Sequence, residues 1–196
     1  MLVWLDLETT GLNPQRDRIL EVAVVLTTDD LDVVDMRQHV LRFDLADGPE
    51  GRARIDPVVE IDPVVEIDPV VLEMHRKNGL WNEASKSSLG VSDVEQYLIT
   101  FLRHYQLDDV ILCGSTISFD RAFLEHHMPS FKAMFHYRSI DVSSIKELCR
   151  RWYPRALAER DQLKGNPMHR AQHDVLESIA ELRFYRERIF RKRESP

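Results

Sequence analysis

The chain has 196 residues, of which 43% are apolar and 30% are charged, and its formal net charge is −7 at pH 7. This length suits one well-packed domain, predicted to span residues 1–196. The acidic balance argues against a protein that grips long nucleic acid through many phosphates. No apolar run approaches the roughly 20 residues that cross a membrane, so we expect no membrane contact. Cys113 and Cys149 show no pairing framework, which favours a reducing cytoplasm.

The first predicted strand ends in an unusual pattern of acids. Asp6 and Glu8 flank Leu7 and share one face, because side chains alternate along a strand. Two close carboxylates repel each other, and a partly buried carboxylate without a partner is disfavoured. Either both acids are solvated where the strand turns at Gly11, or they bind a divalent metal ion.

Two more strands complete the first part of the predicted sheet. Ile19–Thr27 is almost continuously apolar and β-branched, as expected of a central strand covered on both faces. Residues 33–43 alternate loosely between apolar and polar. These segments predict that the domain opens with an antiparallel meander.

Residues 55–71 contain a perfect repeat, IDPVVE twice and then IDPVV. A proline in each unit opposes a continuous helix, and three copies are too few for a solenoid. We interpret residues 55–66 as an insertion that lengthens a surface loop. The third copy is predicted to begin a helix with Asp68 as N-cap, ending at Asn78.

The rest of the chain alternates helices and strands. The predicted segments are a helix capped at Ser92, a strand at 110–113, a helix at 120–127, a strand at 139–142, a helix from Ser144 to Tyr153, a polar loop at 155–168 and a long helix from His169 to about Arg191. This order indicates a mixed sheet with helices packed on it. Trp4, Trp81 and Trp152 are expected in the core.

Further acids stand where strands meet helices. Asp120 follows the strand at 110–113, and Asp174 stands five residues after His169. With Asp6 and Glu8 they form an oxygen-donor set suited to Mg²⁺ or Mn²⁺, and two such ions can activate water at a phosphodiester. A histidine can take the proton of that water near neutral pH. The spacing of His169 and His173 also resembles a zinc pair, but the glutamate of HExxH is missing.

Three segments resemble the motifs of the DEDDh 3′→5′ exonucleases: DLETTGL at 6–12, CGSTISFDRAFL at 113–124 and HRAQHDVLES at 169–178. Within that group, FHYRSIDVSSIKEL at 135–148 and MHRKNGL at 74–80 resemble the oligoribonuclease family. The resemblance implies an α/β, RNase H-like fold, with a mixed five-stranded sheet (an antiparallel meander, then parallel strands) flanked by helices. It also implies a homodimer, without a further protein partner, that degrades very short RNAs and dinucleotides to 5′-mononucleotides.

The resemblance implies a role for each matching position. Four carboxylates would hold two Mg²⁺ or Mn²⁺ ions: Asp6, Glu8, Asp120 and Asp174. His169 would be the general base. Six residues would bind substrate: Leu12, His75, Thr116, Tyr137, Arg138 and Ser143. Of these, Leu12 would wedge against the bases, Tyr137 would stack on a base, and the hydroxyls and Arg138 would cap the 5′ phosphate.

The sequence departs from the family pattern at substrate positions. Val70 stands where the family often has a stacking tryptophan, and Ser115-Thr116 replaces Asn-Ser. Two other functions stay open at this point. One is a DEDDh trimming or proofreading exonuclease on longer DNA or RNA, and the other is a non-catalytic dimeric binding module.

Overall fold

The computed structural model describes residues 1–43, 52–53, 65–163 and 168–190. The strands are β1 (Leu2–Thr9), β2 (Ile19–Thr27), β3 (Val33–Val40), β4 (Arg52–Ala53), β5 (Val65–Glu66), β6 (Val110–Gly114) and β7 (Phe135–Asp141). The helices are α1 (Pro69–Lys77), α2 (Leu80–Ala84), α3 (Val91–His104), α4 (Ile117–His127), α5 (Pro129–Lys132), α6 (Val142–Trp152), α7 (Pro154–Leu163) and α8 (Ala171–Arg188). Residues 55–64 of the predicted insertion lie outside the described residues.

The predicted mixed sheet is confirmed. Its strand order is β3-β2-β1-β6-β7, with β4 and β5 forming a separate two-stranded sheet. β1, β2 and β3 pair antiparallel, whereas β1 pairs parallel with β6, and β6 with β7. The carboxyl ends of β1, β6 and β7 therefore meet at one edge, where open α/β sheets bind ligands.

Each face of the sheet supports its own apolar core. Leu5 and Leu7 of β1 pack in the cluster that includes Leu98 of α3 and Phe123 of α4. Trp4 packs on the opposite face with residues of α6 and α8, among them Val175. Because side chains alternate along β1, Asp6 and Glu8 share the face of Trp4 and point toward α8.

Local capping signals placed some helix ends correctly. Asp68 is the N-cap of α1, its carboxylate accepting from Val70 N–H at 2.8 Å, and Pro69 occupies the first helical position. The predicted cap at Ser92 is wrong by two residues. α3 begins at Val91, and Asp93 accepts from Gly90 N–H at 3.0 Å.

The predicted polar loop at 155–168 is wrong over most of its length, because α7 occupies Pro154–Leu163. At the first position of a helix the backbone N–H has no partner within the helix, so a proline there loses no hydrogen bond. Pro154 can therefore begin this helix. Leu157 and Arg160 are buried, and Arg160 pairs with Glu177 of α8 at 3.0 Å. Packing against α8 thus stabilises a segment whose composition resembles a loop.

Trp4 and Trp81 lie in the core as expected, but Trp152 is 64% exposed at the corner between α6 and α7. The prediction for Trp152 is therefore wrong. Among the described residues, none of the helices combines the length and hydrophobicity needed to span a bilayer.

Candidate active site

Three carboxylates meet where β1 approaches α8. The ligand oxygens of Asp6, Glu8 and Asp174 all lie within 4.8 Å of one another. β1 supplies the first two from one face, and the first turn of α8 supplies the third. Within the described part of the chain this donor set is entirely carboxylate, which suits a hard divalent cation better than zinc held by a histidine pair.

Asp120 lies beside this group and is held by the backbone of β1. Its Oδ1 accepts from Leu7 N–H at 3.0 Å, and only 3% of the residue is exposed. α4 carries it in its first turn, directly after the end of β6. Its carboxylate does not belong to the cluster within 4.8 Å, but its charge acts on Asp6.

The electrostatics of the cluster favour the binding of a cation. Burial, and then the charges of Asp120, Glu8 and Asp174, raise the pKa of Asp6 well above its usual range. Burial raises the pKa of Glu8 to about 8, with Asp174 and Glu21 adding to the effect. Burial also raises the pKa of Asp120 to about 8. A bound divalent cation would reverse these shifts, so the donor set fits a metal ion.

A buried ion pair supports the cluster from β2. Glu21 faces Glu8 in the β1–β2 ladder and is completely buried. Arg170 donates to Glu21 at 2.8 Å and to Glu83 at 2.7 Å, and these two carboxylates raise its pKa. Ala171 N–H donates to the second oxygen of Glu21 at 2.8 Å. This network anchors the N-terminus of α8 and thereby places Asp174.

His169 faces a cleft of about 500 Å³ that Asp6 and Asp174 also line. Its side chain is exposed, and its backbone has a φ of 49°, in the left-handed region. Asn78 donates its side-chain amide to the carbonyl oxygen of His169. The predicted base and the carboxylate cluster therefore share one cleft.

His75 lies beneath the end of β1. It is completely buried, its Nε2 lies 3.1 Å from the carbonyl oxygen of Thr9, and the same atom is 3.8 Å from Glu8 Oε2. Burial lowers its pKa, so the ring is mainly neutral near pH 7. In this position the ring supports the strand that carries Glu8, and its substrate contact stays a prediction.

Two of the predicted phosphate-binding hydroxyl residues meet at one carboxylate. Asp141 is the N-cap of α6, and its Oδ1 accepts from the Ser143 N–H at 2.9 Å and from the Ser143 hydroxyl at 2.6 Å. The same oxygen accepts from Thr116 N–H at 3.0 Å. Asp141 thus joins the ends of β6 and β7, and Thr116 lines the cleft.

Tyr137 and Arg138 lie apart from the cleft, on the edge strand β7. Tyr137 is 74% exposed, and the Arg138 guanidinium lies 5.2 Å from the centroid of its ring. Arg121 of α4 braces this strand by donating to Ser139 Oγ at 2.9 Å and to the carbonyl oxygen of Arg138 at 3.2 Å. The two side chains are presented outward from a firmly held strand.

Leu12 stands on the turn after β1 and is 80% exposed. This turn requires Gly11, because a Cβ there would overlap the carboxylate of Asp17. Asp17 is buried and accepts from Asn13 N–H at 2.8 Å. Val70, at the start of α1, is also exposed and can contribute only a small apolar surface.

Sequence reasoning missed Glu21, Asp141 and Asn78. Glu21 carried a signal, because a lone acid inside the apolar run Ile19–Thr27 needs a buried partner. Asp141 carried one as well, since an acid two residues before Ser143 is an N-cap pattern. The partners Arg170 and His169 are distant in sequence, so no local pattern could identify the pairs.

Comparison with known proteins agrees with this geometry. The model of the exonuclease family RNase_T matches residues 3–182. An oligoribonuclease of Bordetella pertussis is 41% identical over 192 residues, 97% of this chain and 96% of its own length. An oligoribonuclease of Nocardia farcinica is 40% identical over 193 residues, 97% of this chain and 81% of its own length.

A solved structure of S. pombe Pop2p, in a form with bound Mg²⁺ and Mn²⁺, has a TM-score of 0.71 at 15% identity over 96% of this chain and 84% of that one. At this identity the likeness shows the fold alone, and it agrees with the predicted RNase H-like sheet. The match to the family model over residues 3–182, and to the relatives over 97% of the chain, identifies it as a member of the exonuclease family, within its oligoribonucleases.

Proposed function

We propose that this protein is a metal-dependent 3′→5′ exoribonuclease that degrades very short RNAs, down to dinucleotides, to 5′-mononucleotides. One observation carries the proposal. Asp6, Glu8 and Asp174 place their oxygens within 4.8 Å of one another in a site where burial raises the pKa of Glu8 to about 8. Such a cluster is unfavourable unless a cation compensates it.

Four carboxylates would hold two ions, Mg²⁺ or Mn²⁺: Asp6, Glu8, Asp120 and Asp174. When bound, such ions acidify a coordinated water and stabilise the negative charge that develops on the phosphate and the departing oxygen. His169 would accept the proton of the attacking water from the exposed side of the cleft. The family membership and the acidic cluster support the divalent metal; the choice of ion is part of the proposal.

Selection of short chains would come from a 5′-phosphate site beside the cleft. Thr116 would donate its hydroxyl to that phosphate while Asp141 accepts from its N–H. The Ser143 hydroxyl, which donates to Asp141 in this structure, would turn to the phosphate, and Arg138 would swing in from β7. Leu12 would insert against the bases, where its exposed side chain gains burial. A longer RNA has no terminal phosphate at this depth, so its chain would meet the wall formed by α6.

We also propose that the enzyme works as a cytoplasmic homodimer. Tyr137 is strongly exposed on an edge strand and is not among the residues that line the cleft, as expected of a side chain that stacks on a base in a partner's site. Both cysteines are buried free thiols, and burial raises the pKa of Cys113 to about 12. Unreactive, unpaired thiols agree with a reducing compartment.

The decisive experiment is a length series of 5′-labelled RNAs, from dinucleotides to roughly 20 nucleotides, digested with Mg²⁺, Mn²⁺ or EDTA. We expect kcat/KM to be highest for the shortest chains, 5′-mononucleotides as products, and no turnover in EDTA. Rates that rise with length would instead indicate a trimming exonuclease. Binding without metal-dependent turnover would indicate a non-catalytic module.

A further inference from the structure

The corner between α1 and α2 holds the segment that carries His169. Asn78 follows α1 and donates its Nδ2 to the carbonyl oxygens of His169 and Met168, the latter at 3.3 Å. Glu83 of α2 binds Arg170 on the same side, with separations of 2.9 and 2.7 Å. Three consecutive residues, 168–170, are thus fixed against this corner just before α8.

The backbone of His169 explains why such support matters. Its φ of 49° lies in the left-handed region, which is unfavourable for a residue other than glycine and persists only if the surroundings enforce it. Its imidazole is exposed in the cleft, so the bond from Asn78 to its carbonyl acts through the backbone. Fixing that carbonyl restrains rotation about the Cα–C bond of His169, and with it the direction of the Cα–Cβ bond.

We propose that Asn78 is a positioning residue of this enzyme, whose amide fixes the carbonyl of His169 and so aims the imidazole at the water bound beside Asp6 and Asp174. The inference rests on the proposed function, in which His169 accepts the proton of that water. Misplacing a reacting group by about 1 Å can lower a rate by about 10²-fold. The effect of Asn78 should therefore appear in kcat and pass through His169.

The two ends of the Asn78 side chain can be separated by one substitution. Its Oδ1 accepts from the N–H of Leu80, the first residue of α2, at 3.0 Å, whereas its Nδ2 makes the contacts to residues 168 and 169. Asn78→Asp keeps the acceptor and replaces the donor with an oxygen that repels both carbonyls. Asn82→Asp, at an exposed position of the same helix, makes the same change in charge and is the matched control.

On a dinucleotide with saturating Mg²⁺, we expect Asn78→Asp to lower kcat by about 10- to 100-fold with KM and the Mg²⁺ dependence unchanged. Asn82→Asp should match the wild type, and both variants should keep its melting temperature. If Asn78→Asp melts lower than the control, Asn78→Ser replaces it, because a hydroxyl can still accept from Leu80 N–H but lacks the amide.

The test is completed in a His169→Ala background. There Asn78→Asp should cause no further loss, since two residues that act through one group are not additive. An equal loss in both backgrounds, or none in the wild type, overturns the inference. If His169→Ala itself keeps the wild-type rate, the assignment of the general base fails instead, so the two failures are distinguishable.

Discussion

Arg170 donates to the carboxylate of Glu21 through Nε at 3.2 Å and through Nη2 at 2.8 Å. Glu21 is completely buried on β2, and Arg170 is the residue that follows the predicted general base. The pair therefore connects the interior of β2 to the exact point where α8 begins. Asp6 and Glu8, the two carboxylates that β1 contributes to the cluster, lie on the face that α8 covers.

Arg170→Ala should destabilise the protein by about 3–5 kcal/mol, because it leaves the Glu21 carboxylate buried without its partner charge. Urea denaturation measures this loss. Glu83→Ala is the matched control: it removes the other, half-exposed partner of Arg170 and should cost only about 0–1 kcal/mol. Equal losses in the two variants would show that Arg170 does not compensate Glu21.

The metal-free protein should lose stability as the pH rises from about 4.5 to about 8. Burial raises the pKa of Glu8 from 4.5 to about 8, so the folded state binds more protons than the unfolded state in this window. The contribution of Glu8 to the free energy of unfolding is then fully present below its unfolded pKa. Between the unfolded and folded pKa values it falls by about 1.36 kcal/mol per pH unit for each such proton. Melting temperatures in EDTA across this range measure the slope.

Added Mg²⁺ or Mn²⁺ should flatten the slope of stability against pH, since a cation stabilises the ionised carboxylates. In EDTA, Glu8→Gln should reduce the slope, leaving the contributions of Asp6 and Asp120, and should raise the melting temperature at alkaline pH, because it removes one of the repelling charges. A metal-free protein that becomes more stable between these pH values would contradict the raised pKa values.

His169→Ala should lower the rate on a dinucleotide by about 10²- to 10⁴-fold, the usual contribution of a positioned general base. Calorimetric titration with Mn²⁺ should give the wild-type affinity, because the imidazole is not among the clustered carboxylates. Asp174→Asn is the comparison variant and should lose both turnover and metal affinity. A His169→Ala enzyme with a wild-type rate would show that another group takes the proton.

Deletion of residues 55–66 should change the free energy of unfolding by only about 1 kcal/mol, because the cost of closing a loop depends weakly on its length. The third repeat still supplies Asp68 and Pro69 to α1. Deletion of residues 55–60 alone keeps Val65–Glu66, the strand that pairs with Arg52–Ala53, and serves as the control. A large loss of stability in both variants would mean that the copies pack as structure.

Subunit mixing tests whether Tyr137 acts in the partner's site. Base stacking contributes about 1–3 kcal/mol, so the Tyr137→Ala and His169→Ala homodimers should each be weak. In a mixed dimer, the subunit with an intact His169 receives an intact Tyr137, and activity should exceed the average of the two homodimers. No gain, in a sample where mass spectrometry shows heterodimers, would place Tyr137 in its own site or outside the reaction.

The sequence by itself determined the features that depend on interactions over a few residues. Alternation along β1 placed Asp6 and Glu8 on one face, and the pattern of β2 predicted its complete burial. Asp68 and Pro69 set the start of α1, because an N-cap acts on the next two or three backbone N–H groups. The order of the elements then indicated the mixed sheet.

Only the tertiary structure decided which distant groups meet and which segments pack. The polar residues after Pro154 form a helix, in which Leu157 is buried and Arg160 pairs with Glu177 of α8. The tertiary structure buried His75 under the end of β1, left Trp152 exposed, and brought Asn78 to His169. Such contacts join residues far apart in the chain, and their free energy arises from desolvation and complementary shape, which no local pattern encodes.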